Sequence, residues 1–371
     1  MIRSCCISTS AGPRREQSAS AGLATNSRLI WRLATTERAT SSAASPKASP
    51  STGTPISLKK PLNRTTFLVA LDPSGAPVWS SLGTGMDFSA SAVAACVTDS
   101  RVWVGGNAGT PTKTTLKVQA FDKTGQETFS LWPREQSGDS FVANIIATHD
   151  RRGVVLLGRR TAAFMLNGAP IAAPPTPNSW GFLLALAEDG APLWTLDLPE
   201  RSQPQHAAFD NVGNLYVTAL FWDQTTIGGT EVNAKGGRGL LLAYGPDRAI
   251  RWWKQLSHRD QFRSSGGTIK QPHLDEVWPN GILVDVDSAG DVALFAGFSQ
   301  TMQLFGATVT GSSLRDAILV KLAPDGGERW RKLVQGPGQL PHALAVDGQG
   351  LIWTGGSFVD RADGYLGAFG P

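Results

Sequence analysis

Residues 181–220 read GFLLALAEDGAPLWTLDLPERSQPQHAAFDNVGNLYVTAL, and the four short apolar runs in this stretch decide the fold. Phe182 to Leu186 is the first run, Glu188-Asp189-Gly190 a turn, and Pro192 to Leu196, with Trp194, the second. After a polar connection, Ala207 to Phe209 and Leu215 to Leu220 flank the turn Asp210-Asn211-Val212-Gly213-Asn214. Asp and Asn side chains there bond back to the local backbone, and Gly supplies positive φ. Runs of strand length joined by tight turns predict an antiparallel meander.

The pattern returns along most of the chain. Phe67 to Leu71 with the turn Asp72-Pro73-Ser74-Gly75 and Val78-Trp79 matches the first half of the stretch. So do Leu116 to Phe121 with Phe129, Leu240 to Tyr244 with Trp252, and Ile318 to Leu322 with Trp330, while a sixth copy starts at Tyr365. The second half recurs at 92–106, 142–158, 207–219, 282–297 and 343–356. Self-similarity near 50 residues, built from strands and turns, is the signature of radial or stacked repetition rather than of one unique core. The expectation is an all-β fold, a β-propeller of four-stranded antiparallel blades over residues 56–371, with six blades favoured and five the alternative. In the five-bladed version the strand pair at 343–358 would join the pair at 67–82 to close a shared blade.

Composition agrees with closely spaced strands: 41 Gly and 12 Trp against 17% charged residues. The net charge of +4 is misleading, because residues 1–64 hold ten Lys and Arg against only Glu16 and Glu37. That leaves 24 basic and 28 acidic residues for positions 65–371, an acidic balance that argues against nucleic acid as a partner. No apolar run reaches the 18 or so residues of a membrane-spanning helix. Residues 1–55, rich in Ser, Ala, Thr, Arg and Pro, are expected to be a disordered tail or the product of a misplaced start, and no signal peptide is visible in them. Within that tail, Leu29 to Leu33 looks like the Trp-bearing strand of a repeat. Cys5, Cys6 and Cys96 make no disulfide framework, and Cys96 reads as a small core residue.

VDSAGDVALFAGF at 286–298, FDNVGNLYVTALF at 209–221 and VDGQGLIWTGGSF at 346–358 resemble the repeat of bacterial surface proteins called the seven-bladed propeller (SBBP) repeat. The Gly-centred segments Thr226 to Val232 and Leu304 to Val309 are similar to the hairpin inserted in that repeat. The resemblance covers about residues 66–371 and implies a propeller on a secreted or envelope-associated protein, with no catalytic residues. A weaker likeness of ALDPSGAPVW and ILVKLAPDGGERW to the Trp-docking repeat of quinoprotein propellers implies an enzyme with a cofactor pocket, which the sequence does not otherwise mark. In both families the Trp has a structural role between blades.

With the Ala-Val-Asp type strand innermost and the Trp strand outermost, a meander sends its first and third connections to one rim, and its second connection and the link to the next blade to the other. The first set is short throughout. The second is long and variable, at 159–180, 223–238, 257–278 and 299–315. Ligands are expected on that second rim, because rigid scaffolds carry function on variable loops.

No nucleophile elbow, P-loop, dinucleotide fingerprint, H-E-x-x-H or paired C-x-x-C is present, so no catalytic residues and no cofactor are assigned. His206 and His342 read as loop or rim histidines. Asp285, Asp287 and Asp291 are spaced as Ca²⁺ ligands could be, although an Asx turn explains the pattern without a metal. The connection at 257–278 gathers His258, Arg259, Asp260, Phe262, Arg263, Lys270, His273 and Trp278 on the variable rim. These form the candidate ligand-binding set of a non-enzymatic scaffold facing a protein or glycan at the cell surface; the alternatives are the quinoprotein-like enzyme and a purely structural envelope repeat.

Overall fold

The structure, a computed structural model, describes Ile30–Thr36 and most of residues 65–370. Residues 1–29, 37–64, 72–76, 83–93, 111–112, 132–139, 167–168, 175–179, 222–223, 233–237, 259–281, 299–300, 312–315, 335–338, 359–363 and 371 lie outside the described residues.

All regular structure in the described residues is β, arranged as a β-propeller with five blades of antiparallel strands. The blades are counted by their innermost strands. The first blade is β4 (Ala94–Val97), β5 (Arg101–Thr110), β6 (Lys113–Asp122) and β7 (Glu127–Leu131), paired in that order. The second is β8 (Ser140–Ala147), β9 (Gly153–Arg160), β12 (Trp180–Ala187) and β13 (Pro192–Glu200), with the hairpin β10 (Phe164–Leu166) and β11 (Ala169–Ile171) inserted between its second and third strands. The third is β14 (Ser202–Phe209), β15 (Leu215–Phe221), β18 (Arg238–Tyr244) and β19 (Ile250–His258), with the inserted hairpin β16 (Thr225–Ile227) and β17 (Thr230–Val232). The fourth is β20 (Ile282–Val286), β21 (Val292–Phe298), β24 (Asp316–Leu322) and β25 (Glu328–Val334), with the inserted hairpin β22 (Thr301–Leu304) and β23 (Ala307–Thr310). In the fifth, β26 (Gln339–Val346), β27 (Ile352–Phe358) and β28 (Gly364–Phe369) pair in order. Ahead of these five stands a three-stranded sheet of β1 (Ile30–Thr36), β2 (Thr65–Leu71) and β3 (Pro77–Leu82).

Two expectations are corrected here. Five blades replace the favoured six. The five-blade scheme in which 343–358 pairs with 67–82 also fails, because β27 takes β28 as its neighbour and β2 takes β1. The register shows why. Trp31 pairs in register with Ala70 across β1 and β2 as Trp353 pairs with Ala368 and Trp103 with Ala120, so Ile30–Thr36 takes a second-strand place and not that of the outer Trp strand.

The core lies between blades. In the third and fourth blades the strands β15, β21 and β24 are buried from end to end, since both faces of these sheets are covered by neighbouring sheets. One cluster joins the third and fourth blades through Leu241, Val284, Leu294 and Val320, and another joins the second and third through Val155, Leu183, Val217 and Leu242.

The outer-strand aromatic fastens each blade to the next. Phe129 of the first blade lies over Gly190 in the turn between the third and fourth strands of the second. Gly190 has φ +83°, and any Cβ there would overlap the ring, so the turn and the close approach both require glycine. Trp252 sits over Gly326 in the same way and donates Nε1–H to the carbonyl of Pro324 at 2.9 Å; Trp79 repeats this over Gly125, donating to Lys123 at 2.9 Å. The junction of the second and third blades departs from the pattern. Its turn places Arg248 at the glycine position with φ +69°, and the guanidinium stacks on Trp194 with its carbon 4.3 Å from the ring centroid.

Candidate functional site

The tight-turn rim is organised by carboxylates that fold their own turns. Asp210 Oδ1 accepts from the backbone of Val212 and Asn214, Asp347 Oδ1 from Gln349 and Leu351, and Asp287 Oδ1 from Ala289 and Asp291. Asp122 does the same between third and fourth strands, and its hydrogen bond from Thr124, joined by backbone donors, holds its carboxyl below the ordinary carboxylate range.

The three aspartates with metal-like spacing are engaged otherwise. Asp285 accepts from its neighbour Val286 and, through Oδ2 at 2.7 Å, from the backbone N–H of Val346 in the next blade. Asp287 and Asp291 are buried around the ammonium of Lys321, at 3.0 and 3.5 Å, and Asp291 also receives Arg329 at 2.8 Å. Two carboxylates thus share two cations, a balanced cluster that leaves Asp287 and Asp291 no uncompensated charge for a cation to neutralise. Among the described residues no group of three or more His, Cys, Asp or Glu is arranged to hold a metal ion.

The histidines stand on innermost strands, not on loops. His206 lies in β14 and His342 in β26. His206 Nδ1 is 2.9 Å from the carbonyl of Val284 in the next blade, and since a carbonyl only accepts, Nδ1 carries the proton. Burial among the inner strands pushes its pKa down to about 4, with the Val284 contact opposing the shift, so the ring is neutral at pH 7. Asn144 holds the equivalent place four residues before its turn and donates to the carbonyl of Gln205 at 3.3 Å. Thr218 of β15 adds a 2.7 Å bond to the carbonyl of Ile282. The inner strands therefore spend these polar side chains on ties from one blade to the next: Asn144 from second to third, His206 and Thr218 from third to fourth, Asp285 from fourth to fifth. The repeat pattern located these positions but gave no sign of the ties, which depend on lateral packing of strands distant in sequence.

The opposite rim carries the long connections, and three of them are folded hairpins that reach back to the preceding blade. Phe164, Leu166 and Ile171 of β10 and β11 are buried in one cluster with Leu131 of β7. Ile227 and Val232 of β16 and β17 are buried with Leu198 of β13. The third goes further: β22 pairs with β19, Leu304 opposite Leu256 and Met302 opposite His258, and extends the third blade to six strands. The Gly-centred hairpins read from 226–232 and 304–309 are thus present, as clamps.

Of the candidate ligand-binding residues, His258 ends β19 and is held in register by Met302. Arg259, Asp260, Phe262, Arg263, Lys270, His273 and Trp278 lie outside the described residues. The structure fixes both ends of their connection, at His258 and at Ile282 of β20, on the long-connection rim.

No family model matches the chain, and no curated protein matches it. Among solved structures it is similar to a protein of unknown function from Bacteroides caccae, at 12% identity over 73% of each chain with a TM-score of 0.36. No helix in the described residues is long and apolar enough to cross a membrane.

Proposed function

We propose that the protein is a non-enzymatic scaffold of the bacterial cell surface or envelope that binds a protein or glycan through its long-connection rim. The observation that carries this reading is the fixing of β19 at His258 by the β22 hairpin of the next blade, which mounts the 259–281 connection between two rigid stems. Its sequence supplies what recognition of such partners uses: Arg259 and Arg263 as planar donors for carboxylates or sugar hydroxyls, and Phe262 and Trp278 as surfaces on which a ring can stack. His258, Asp260, Lys270 and His273 complete the proposed set. The SBBP resemblance supports an extracellular or envelope location. Replacing 259–275 by a short Gly-Ser linker and screening wild type and variant against glycans and surface proteins tests the proposal. Loss of a wild-type ligand by a variant that melts normally is expected; retention of that ligand at full affinity would sink the idea.

A further inference from the structure

The fourth blade departs from the first three at one buried position. Opposite the outer-strand aromatics Phe129, Trp194 and Trp252 the third strands carry Ala120, Ala185 and Ala243, whereas opposite Trp330 β24 carries Lys321. Its Nζ reaches the turn between β20 and β21, 3.0 Å from Oδ2 of Asp287 and 3.5 Å from Oδ2 of Asp291. The three side chains are only 9%, 6% and 10% exposed. Such a turn does not need a lysine. In the third blade Asn214 stands where Asp291 does and donates its amide to Asp210 Oδ2 at 2.6 Å.

An amine and two carboxyl groups enclosed together are the two reactants of an amide condensation and a group that can move its protons. Each oxygen has a distinct place. Oδ1 of Asp287 accepts the backbone N–H of Ala289 and of Asp291, both at 2.9 Å, so two donors already sit on the oxygen that would carry the charge of a tetrahedral intermediate. Oδ2 of Asp287 faces the amine and is the oxygen that can leave. Oδ1 of Asp291 is taken by Arg329 at 2.8 Å, which leaves its Oδ2 for the Lys321 amine. Contact between the reactants replaces a bimolecular encounter, and burial keeps water from hydrolysing the product. The charges also close: condensation removes one cation and one anion, and Asp291 stays paired with Arg329.

We propose that Lys321 and Asp287 form an intramolecular isopeptide bond, with Asp291 as the catalytic proton carrier, so that the β20–β21 turn is tied covalently to β24. Asp291 Oδ2 takes a proton from the ammonium and passes it to Asp287 Oδ2. The free amine attacks Cγ, the Nζ–Cγ bond forms, and Oδ1 takes the charge under its two N–H donors. A second proton moves from Nζ through Asp291 to the departing oxygen. The Cγ–Oδ2 bond breaks, one water leaves, and Asp291 is again a carboxylate. No oxidant, reductant or co-reactant is required, and the bond is independent of the ligand-binding rim proposed above.

The test is the mass of the full chain, measured after denaturation. Wild type should be lighter than its sequence by one water. Trypsin should leave Lys321 uncut and release residues 271–315 joined to residues 316–329 as one branched peptide, with fragmentation placing the link at Asp287 and Lys321. Lys321→Met and Asp291→Asn should each have the full mass. Asn already stands at the equivalent place in the third blade, so Asp291→Asn should fold, and its circular dichroism should match that of wild type. A wild-type chain of full mass that is cut after Lys321 would overturn the proposal and leave the group an ion pair. So would a water loss that persists in Lys321→Met, the mark of a cyclic imide at an aspartate. Complete cross-linking in Asp291→Asn would overturn the part assigned to Asp291.

Discussion

The two rims of the propeller are built by different means. On the tight-turn rim, turns are closed largely by their own residues; at Asp210, Asp287 and Asp347 a carboxylate accepts from the backbone two and four positions on. On the other rim the inserted hairpins have few local bonds of this kind and owe their place to the blade before them, as Leu304 does beside Leu256. Local chemistry fixes the first rim and tertiary packing the second. Variable length on a rim therefore does not by itself mark a recognition loop: here three long connections are clamps, and the fourth is the one whose first stem, β19, pairs with the β22 hairpin.

The sharpest way to disturb the tight rim is Lys321→Met. It leaves Asp287 and Asp291 buried against Arg329 alone, and stranding a buried carboxylate costs about 3–5 kcal/mol. Urea unfolding should show a loss of that size, and a loss below about 1 kcal/mol would mean that the cluster is more hydrated than its burial indicates. On the other rim, Leu304→Ala removes a fully buried side chain from the β19–β22 junction and should cost about 2–4 kcal/mol. A neutral result there would make the hairpin an ornament rather than a clamp.

Between the rims, the His206 tie predicts acid sensitivity. Its folded pKa, about 4, lies below the unfolded value near 6.5, so the unfolded chain takes up the proton first. The contribution is complete above about pH 6.5, declines as the pH falls and is gone below about pH 4, a loss of roughly 2 kcal/mol by pH 5. His206→Asn, which puts the Asn144 solution into the third blade, should keep the tie to Val284 and flatten that part of the melting-temperature profile between pH 4 and 6.5. An unchanged profile would assign the acid response to other groups.

The smallest effect belongs to Arg248. Its left-handed φ carries a strain that Gly would relieve, and its stacking on Trp194 is worth about 1 kcal/mol. Arg248→Ala keeps the strain and loses the stacking, so about 1 kcal/mol should go, whereas Arg248→Gly should fall near wild type. Equal losses in both would show that the backbone is unstrained there.

Strand order, turn positions and the inner and outer strands were legible in the sequence because each is set within a few residues: an apolar run, an Asx-Gly turn, a Trp at fixed spacing. The number of blades was not, since Trp31 sits in a strand placed like a second strand while Trp252 sits in a fourth, and a Trp in an apolar run does not say which. Lys321 shows the same limit. It occupies a place that Ala fills in other blades, and only the folded arrangement brings Asp287 and Asp291 to it. His206 and His342 were misplaced onto loops because spacing from a turn does not show that both stand within innermost strands, where His206 meets the carbonyl of Val284 in the next blade.

The most direct test is a paired deletion followed by thermal melting. One variant replaces Thr301–Thr310 by a short Gly-Ser linker, the other replaces 259–275. The hairpin deletion should lower Tm by about 10 °C or more, reflecting loss of the buried Met302 and Leu304 and the exposed β19 edge, and the second should stay within about 2 °C of wild type. Equal shifts in the two variants would contradict the division of the rim into structural clamps and a mounted recognition connection.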